Sequence, residues 1–155
     1  MAETALFLLV EDNTDHVLLF KRAFERAGII NPLQVLKNAH EVMCYLEGVG
    51  QYRNRAEFPL PAIILLDLKL PGISGFDLLR LIRAQPGLES LRVVVMTSSE
   101  SIRDVNLAYQ LGANSFLVKP VAIESFTQLV QAIQGCWIWT SKAPEAFRGA
   151  TAAKS

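Results

Sequence analysis

The sequence predicts an α/β fold: a (βα)5 doubly wound parallel sheet with strand order 2-1-3-4-5. Three observations carry this. Five short apolar runs recur along the chain without polar alternation, the pattern of strands covered on both faces. Segments with apolar residues at i, i+3 and i+4 lie between them, so strand and helix alternate and right-handed crossovers build one sheet. Acidic residues stand at the ends of the first and third runs, where an open α/β sheet binds its ligands.

The first strand is read at residues 5–10 (ALFLLV). The first helix follows from Val17, Phe20, Phe24 and Ala27 and stops at Gly28. Residues 32–36 (PLQVL) form a weaker second strand, and Val42 and Leu46, closed by Gly48, form a short second helix. A connection at 49–60 (VGQYRNRAEFPL), longer than is usual for such units, leads to the third strand at 62–66 (AIILL) and Asp67. Phe76, Leu79 and Ile82 share one face of a third helix that ends near Pro86-Gly87. The fourth strand is 91–97 (LRVVVMT), and the fourth helix carries Ile102, Val105, Ala108 and Leu111 up to Gly112. The fifth strand is 115–118 (SFLV). Ile123, Phe126, Val130, Ile133 and Trp137 mark the fifth helix. The strand order is the flavodoxin-like one.

Composition narrows the function. Hydrophobic residues make up 51% of the 155-residue chain and charged ones 19%, enough for a core and too little charge for a disordered chain. Lys+Arg and Asp+Glu number 15 each, which disfavours a general nucleic-acid or acidic-membrane binder. Cys44 and Cys136 lack metal-site spacing and read as free thiols of a reducing compartment. No apolar run approaches the roughly 20 residues that span a bilayer. The start, MAETALFLLVED, lacks a basic signal-peptide region. The expected setting is the cytoplasm.

With the order 2-1-3, the first and third strands are neighbours, so Glu11, Asp12 and Asp67 converge on one sheet edge. Such like charges raise one another's pKa, and a hard divalent cation such as Mg2+ removes the conflict. Thr97 ends the fourth strand with a hydroxyl, and Lys119 follows the fifth with an ammonium. Carboxylates, a cation, a hydroxyl and an ammonium around one point make a phosphoryl-binding site. Each side chain alone could be a solvated loop residue; their joint placement argues otherwise.

These residues sit in motifs. LLVEDN at the first strand, LLDLKLPGISG at the third, MTSS at the fourth and FLVKP at the fifth resemble the receiver domain of two-component response regulators. The resemblance spans nearly all of residues 6–137 and implies a receiver over residues 1–140; the stretch after it, rich in Ala and small polar residues and without a period, reads as a flexible tail at 141–155. It implies that Asp67 accepts a phosphoryl group from a histidine kinase. It implies Mg2+ bound by Asp12, Asp67 and the backbone carbonyl of Lys69, with Glu11 contributing through water. Thr97 and Lys119 would contact the phosphoryl oxygens, Thr97 and Phe116 would form the switch, and the Lys119–Pro120 bond would be cis, which X–Pro tolerates at little cost. Two residues depart from common patterns: Lys69 stands where many relatives carry Asn or Met, and Phe116 where Tyr is common. The stretch GQYRNRAEFPLPAIILLDLKLPG and the ending IQGCWIW resemble, more narrowly, the receivers of cyanobacterial phytochromes and bacteriophytochromes.

The expected function is therefore a stand-alone receiver that relays a kinase signal, from a phytochrome-type photoreceptor kinase on the narrower resemblance, through protein–protein contacts. It is expected to be no enzyme beyond its own Mg-dependent phosphorylation and dephosphorylation. A haloacid-dehalogenase-type hydrolase would want an acid at position 69, and an FMN binder would want a phosphate-cradling loop where Glu11-Asp12 stands. His16 and His40 read as solvated, and so do Arg53 and Arg55. Trp137 continues the fifth helix's apolar face, whereas Ile138 and Trp139 fall off it. That predicts a homodimer through the side formed by helix 4, strand 5 and helix 5.

Overall fold

A computed structural model describes residues 6–89, 91–98 and 101–119. Within them run β1 (Phe7–Val10), α1 (Thr14–Arg26), β2 (Leu33–Leu36), α2 (Ala39–Glu47), a 3-10 turn (Gly50–Tyr52), β3 (Ile63–Asp67), α3 (Gly75–Ala84), β4 (Arg92–Thr97), α4 (Ile102–Gln110) and β5 (Ser115–Val118). The five strands form one parallel sheet in the order β2-β1-β3-β4-β5, as the alternation predicts. Strand bounds differ from the expected ones by a residue or two. Pro32, for example, stands just outside β2, where its carbonyl accepts the Phe7 N–H at 2.9 Å. The expected fifth helix, Pro120 with its cis bond, Trp137, Ile138, Trp139 and the tail at 141–155 lie outside the described residues.

Parallel pairing explains why the strands lack polar alternation. Every residue of β1 and β3 is buried. Their side chains alternate between two cores, one on each face. Leu8, Val10, Ile64, Leu66, Val93 and Val95 face Val42, Tyr45 and Leu46 of α2 and Leu78, Leu79 and Ile82 of α3. Phe7, Leu9, Ile63, Leu65, Val94 and Met96 face Val17, Phe20, Ala23 and Phe24 of α1. Among the described residues no helix is long and apolar enough to cross a membrane.

Helix starts are set by side-chain caps. Asn13 Oδ1 accepts the His16 N–H at 3.1 Å, Asn38 Oδ1 accepts that of Glu41 at 2.9 Å, and Ser74 Oγ accepts that of Asp77 at 3.2 Å. The 49–60 connection is no open loop, and the reading of Arg55 as solvated is corrected. Its Nη1 donates to the carbonyls of Tyr45 (2.8 Å) and Phe58 (3.0 Å), and its Nη2 to that of Leu46 (2.6 Å). Carbonyls left over by the last turn of α2 are thereby satisfied. The ring of Phe58 meets those of Tyr45 and Tyr52 edge-on, the two tyrosine rings lie tilted against each other, and Tyr45 Oη donates to Pro59 O at 2.8 Å. Arg53 is exposed, and its Nε donates to Gly50 O at 3.2 Å. Cys44 is a free thiol whose Sγ lies 3.6 Å from Nε2 of the exposed His40.

Candidate functional site

The register places the site. Val10, the last residue of β1, pairs with Leu66, so Glu11 comes level with Asp67, the last residue of β3, at one edge of the sheet. Glu11 leaves β1 with its N–H on Leu36 O at 3.0 Å, and its side chain is only 1% exposed. Asp67 is the last residue of β3 and is buried, whereas the neighbouring Asp12 is exposed. The chain can turn beneath Asp67 because α3 opens on Gly75. A Cβ there would stand 2.4 Å from the Asp67 carbonyl oxygen and 2.6 Å from Leu68 Cα. The Gly75 N–H instead reaches Leu68 O at 2.8 Å, closing the β3–α3 turn.

Lys119, at the end of β5, enters the same point with a side chain 5% exposed. Its Nζ donates to Glu11 Oε1 in a very short contact, to Asp67 Oδ2 at 3.0 Å, and lies 3.0 Å from His16 Nδ1. The Lys119 N–H is held by Thr97 O at 2.7 Å, which ties the ends of β5 and β4 together. Thr97 itself is buried, and the next residue, Ser98, lines the cavity. That cavity, about 580 Å³, is bounded also by Glu11, Asp12, His16, Asp67, Lys69 and Lys119. Lys69 is exposed, and its N–H donates to Asp67 Oδ1 at 3.2 Å.

Carboxylate oxygens of Glu11, Asp12 and Asp67 lie within 4.8 Å of one another. Of these three, Glu11 and Asp67 share the buried ammonium of Lys119, which leaves more negative charge at this point than that ammonium neutralises. Burial pushes the Glu11 carboxyl up from its ordinary value; the Lys119 hydrogen bond pulls it back, and the Asp67 charge raises it further. An all-oxygen, partly buried set of three carboxylates suits a hard divalent cation, so the residues fit the metal expected there.

The structure thus brings together Glu11, Asp12, Asp67, Lys69 and Lys119, with Thr97 directly behind. Phe116 lies farther back on β5, half-buried against the core on the α2–α3 face, and its N–H donates to Tyr109 Oη of α4 at 3.1 Å. His16 is a correction. It is not simply solvated: its ring meets Lys119 and lies 3.7 Å from Glu11 Oε1. The available signal was Asn13, a capping residue that starts a helix immediately beside the acids and lays its first turn over them.

Comparison with known proteins agrees with this geometry. Residues 7–131 match the response regulator receiver domain family. The probable methanogenesis regulatory protein FilR2 of Methanothrix harundinacea is 36% identical over 90% of this chain and 87% of its own. Response regulator Rcp1 of Synechocystis is 33% identical over 91% of this chain and 94% of its own. Among solved structures, the phosphorylated cyanobacterial phytochrome response regulator RcpA superposes with a TM-score of 0.80 at 30% identity, covering 89% of this chain and 96% of its own. The Mn2+-bound form of Rcp1 gives 0.76 at 33% identity, covering 86% and 94%. The bacteriophytochrome response regulator AtBRR gives 0.70 at 37% identity, covering 84% and 92%. Both resemblances drawn from the motifs, to receivers at large and to those of phytochromes and bacteriophytochromes, are met. The chain belongs to the response regulator receiver domain family.

Proposed function

We propose that Asp67 accepts a phosphoryl group from the phosphohistidine of a histidine kinase, and that this chain relays the signal through protein contacts. One observation carries the reading: the Asp67 carboxylate, buried at the end of β3, is held 3.0 Å from the Lys119 ammonium within a cluster of two further carboxylates. In the transfer an Asp67 carboxylate oxygen forms the new O–P bond as the P–N bond to the donor imidazole breaks. Charge on the phosphoryl oxygens is met by the Lys119 ammonium and the Thr97 hydroxyl, and burial keeps competing water out. Asp12, Asp67 and the Lys69 carbonyl would hold Mg2+, with Glu11 acting through water. The bound ion would supply neutralisation of charge on donor and acceptor oxygens. Phe116, half-buried on β5, would switch by repacking, since it has no phenolic hydroxyl. The likeness to phytochrome response regulators supports a phytochrome-type photoreceptor as the kinase.

The test uses acetyl phosphate, or beryllofluoride, with Mg2+. Wild type should gain one phosphoryl group, and Asp67→Asn should gain none. Label persisting on the Asn variant would remove the assignment.

A further inference from the structure

The Lys119 ammonium has three N–H donors and no acceptor. All three have partners in this protein: Glu11 Oε1, Asp67 Oδ2 and His16 Nδ1. The third belongs to none of the receiver motifs. It closes a ring of hydrogen bonds around the base of the site. Glu11 Oε2 accepts the Asn13 N–H at 3.2 Å, and Asn13 Oδ1 accepts the His16 N–H at 3.1 Å. His16 Nδ1 then accepts from Lys119 Nζ, which returns to Glu11. The cap that starts α1 therefore also sets where the His16 ring stands. Because the ammonium can only donate, Nδ1 is the acceptor in this contact.

Resting on the reading of Asp67 as phosphoacceptor, we infer that His16 is a positioning residue that holds the Lys119 ammonium over Asp67. A lysine side chain is a flexible stem with a point charge at its end, and ordering it has an entropic cost. Two fixed acceptors, Glu11 and His16, meet that cost before the reaction begins. Only the donor now on Asp67 then has to turn to an incoming phosphoryl oxygen. Without His16, once that donor has left Asp67 the ammonium is anchored by Glu11 alone, and its third N–H is free to swing into the cavity.

The test compares His16→Leu, which removes the acceptor, with His16→Gln, which restores one at similar reach. The donor is phosphoramidate at saturating Mg2+, so no kinase is needed. His16→Leu should slow labelling of Asp67 by about five- to tenfold, the scale of one ordinary intramolecular hydrogen bond. His16→Gln should return to within about twofold of wild type. In a Lys119→Ala background His16→Leu should add nothing, since the effect runs through the lysine. A second readout needs no phosphoryl donor: hydrogen exchange of the Lys119 ammonium, followed by nitrogen-detected NMR, should quicken in His16→Leu and not in His16→Gln. Wild-type labelling by His16→Leu, or an equal slowing in the Lys119→Ala background, would overturn the inference, as would unchanged ammonium exchange. If the phosphoacceptor reading is what fails, wild type itself takes no label on Asp67 while the ammonium exchange still responds to His16.

Discussion

At the scale of single residues, the site stands in conflict with itself. Glu11 is buried beside Asp67, and its carboxyl is pushed up by burial first and by that neighbouring charge as well. A carboxyl raised in the folded state stabilises the fold below its unfolded value and loses that contribution as pH rises through the folded value. Glu11→Gln keeps an acceptor for Lys119 and removes the charge. In metal-free protein it should raise the thermal midpoint at neutral pH, and the gain should shrink as pH falls toward the range where native Glu11 takes up a proton. Divalent-ion affinity should fall at the same time. A calorimetric pH series checks both. The acids were legible in the sequence because strand ends and strand order alone bring Glu11, Asp12 and Asp67 together. His16 was not, because its partner Lys119 lies 103 residues away and the contact depends on how one helix cap aims one ring. Arg55 escaped for a similar reason, since its partners are backbone carbonyls, which no side-chain pattern reveals.

At the scale of elements, two joints decide how firmly the site is held. Gly75 lets α3 start against the backbone of Asp67 and Leu68, and Gly75→Ala puts a methyl where 2.4 Å is available. Backbone cannot yield as a flexible side chain does. The variant should lose about 1–3 kcal/mol in urea denaturation, the range of an overpacked core, and should label more slowly as Asp67 is displaced. Arg55 makes the other joint, between the 49–60 segment and the end of α2. Arg55→Ala leaves the carbonyls of Tyr45 and Leu46 without this donor and should cost about 1–3 kcal/mol. Amide exchange should quicken in the last turn of α2 and leave β1 and β3 unchanged. The helices were legible from their apolar spacing and their caps. The length of the 49–60 segment was legible too, but its packing rests on a three-ring cluster that has no period to detect.

At the scale of the whole molecule, the parallel sheet was readable because five uninterrupted apolar runs fit almost no arrangement but a sheet buried on both sides, whereas its strand order followed from the flavodoxin-like arrangement and not from the runs themselves. The α4–β5 side leaves apolar surface in water: Ile102 is 74% exposed, Tyr109 48% and Val118 42%. Pairing of two copies through this side, close to Phe116, would bury it. Sedimentation should show a dimer that strengthens with beryllofluoride and weakens in Ile102→Asp; a species that stays monomeric throughout would exclude this. The order β2-β1-β3-β4-β5 has a further consequence, for the birth of the chain. Once β1 and β2 have met, β3 joins the free edge of β1, and β4 and β5 each join the edge their forerunner left open, in the sequence in which translation delivers them. No finished pairing has to be parted to admit a latecomer. Nascent protein leaving the ribosome can be knitted row by row, and beside the outer edge of β2 only the newest strand waits unpaired for a neighbour.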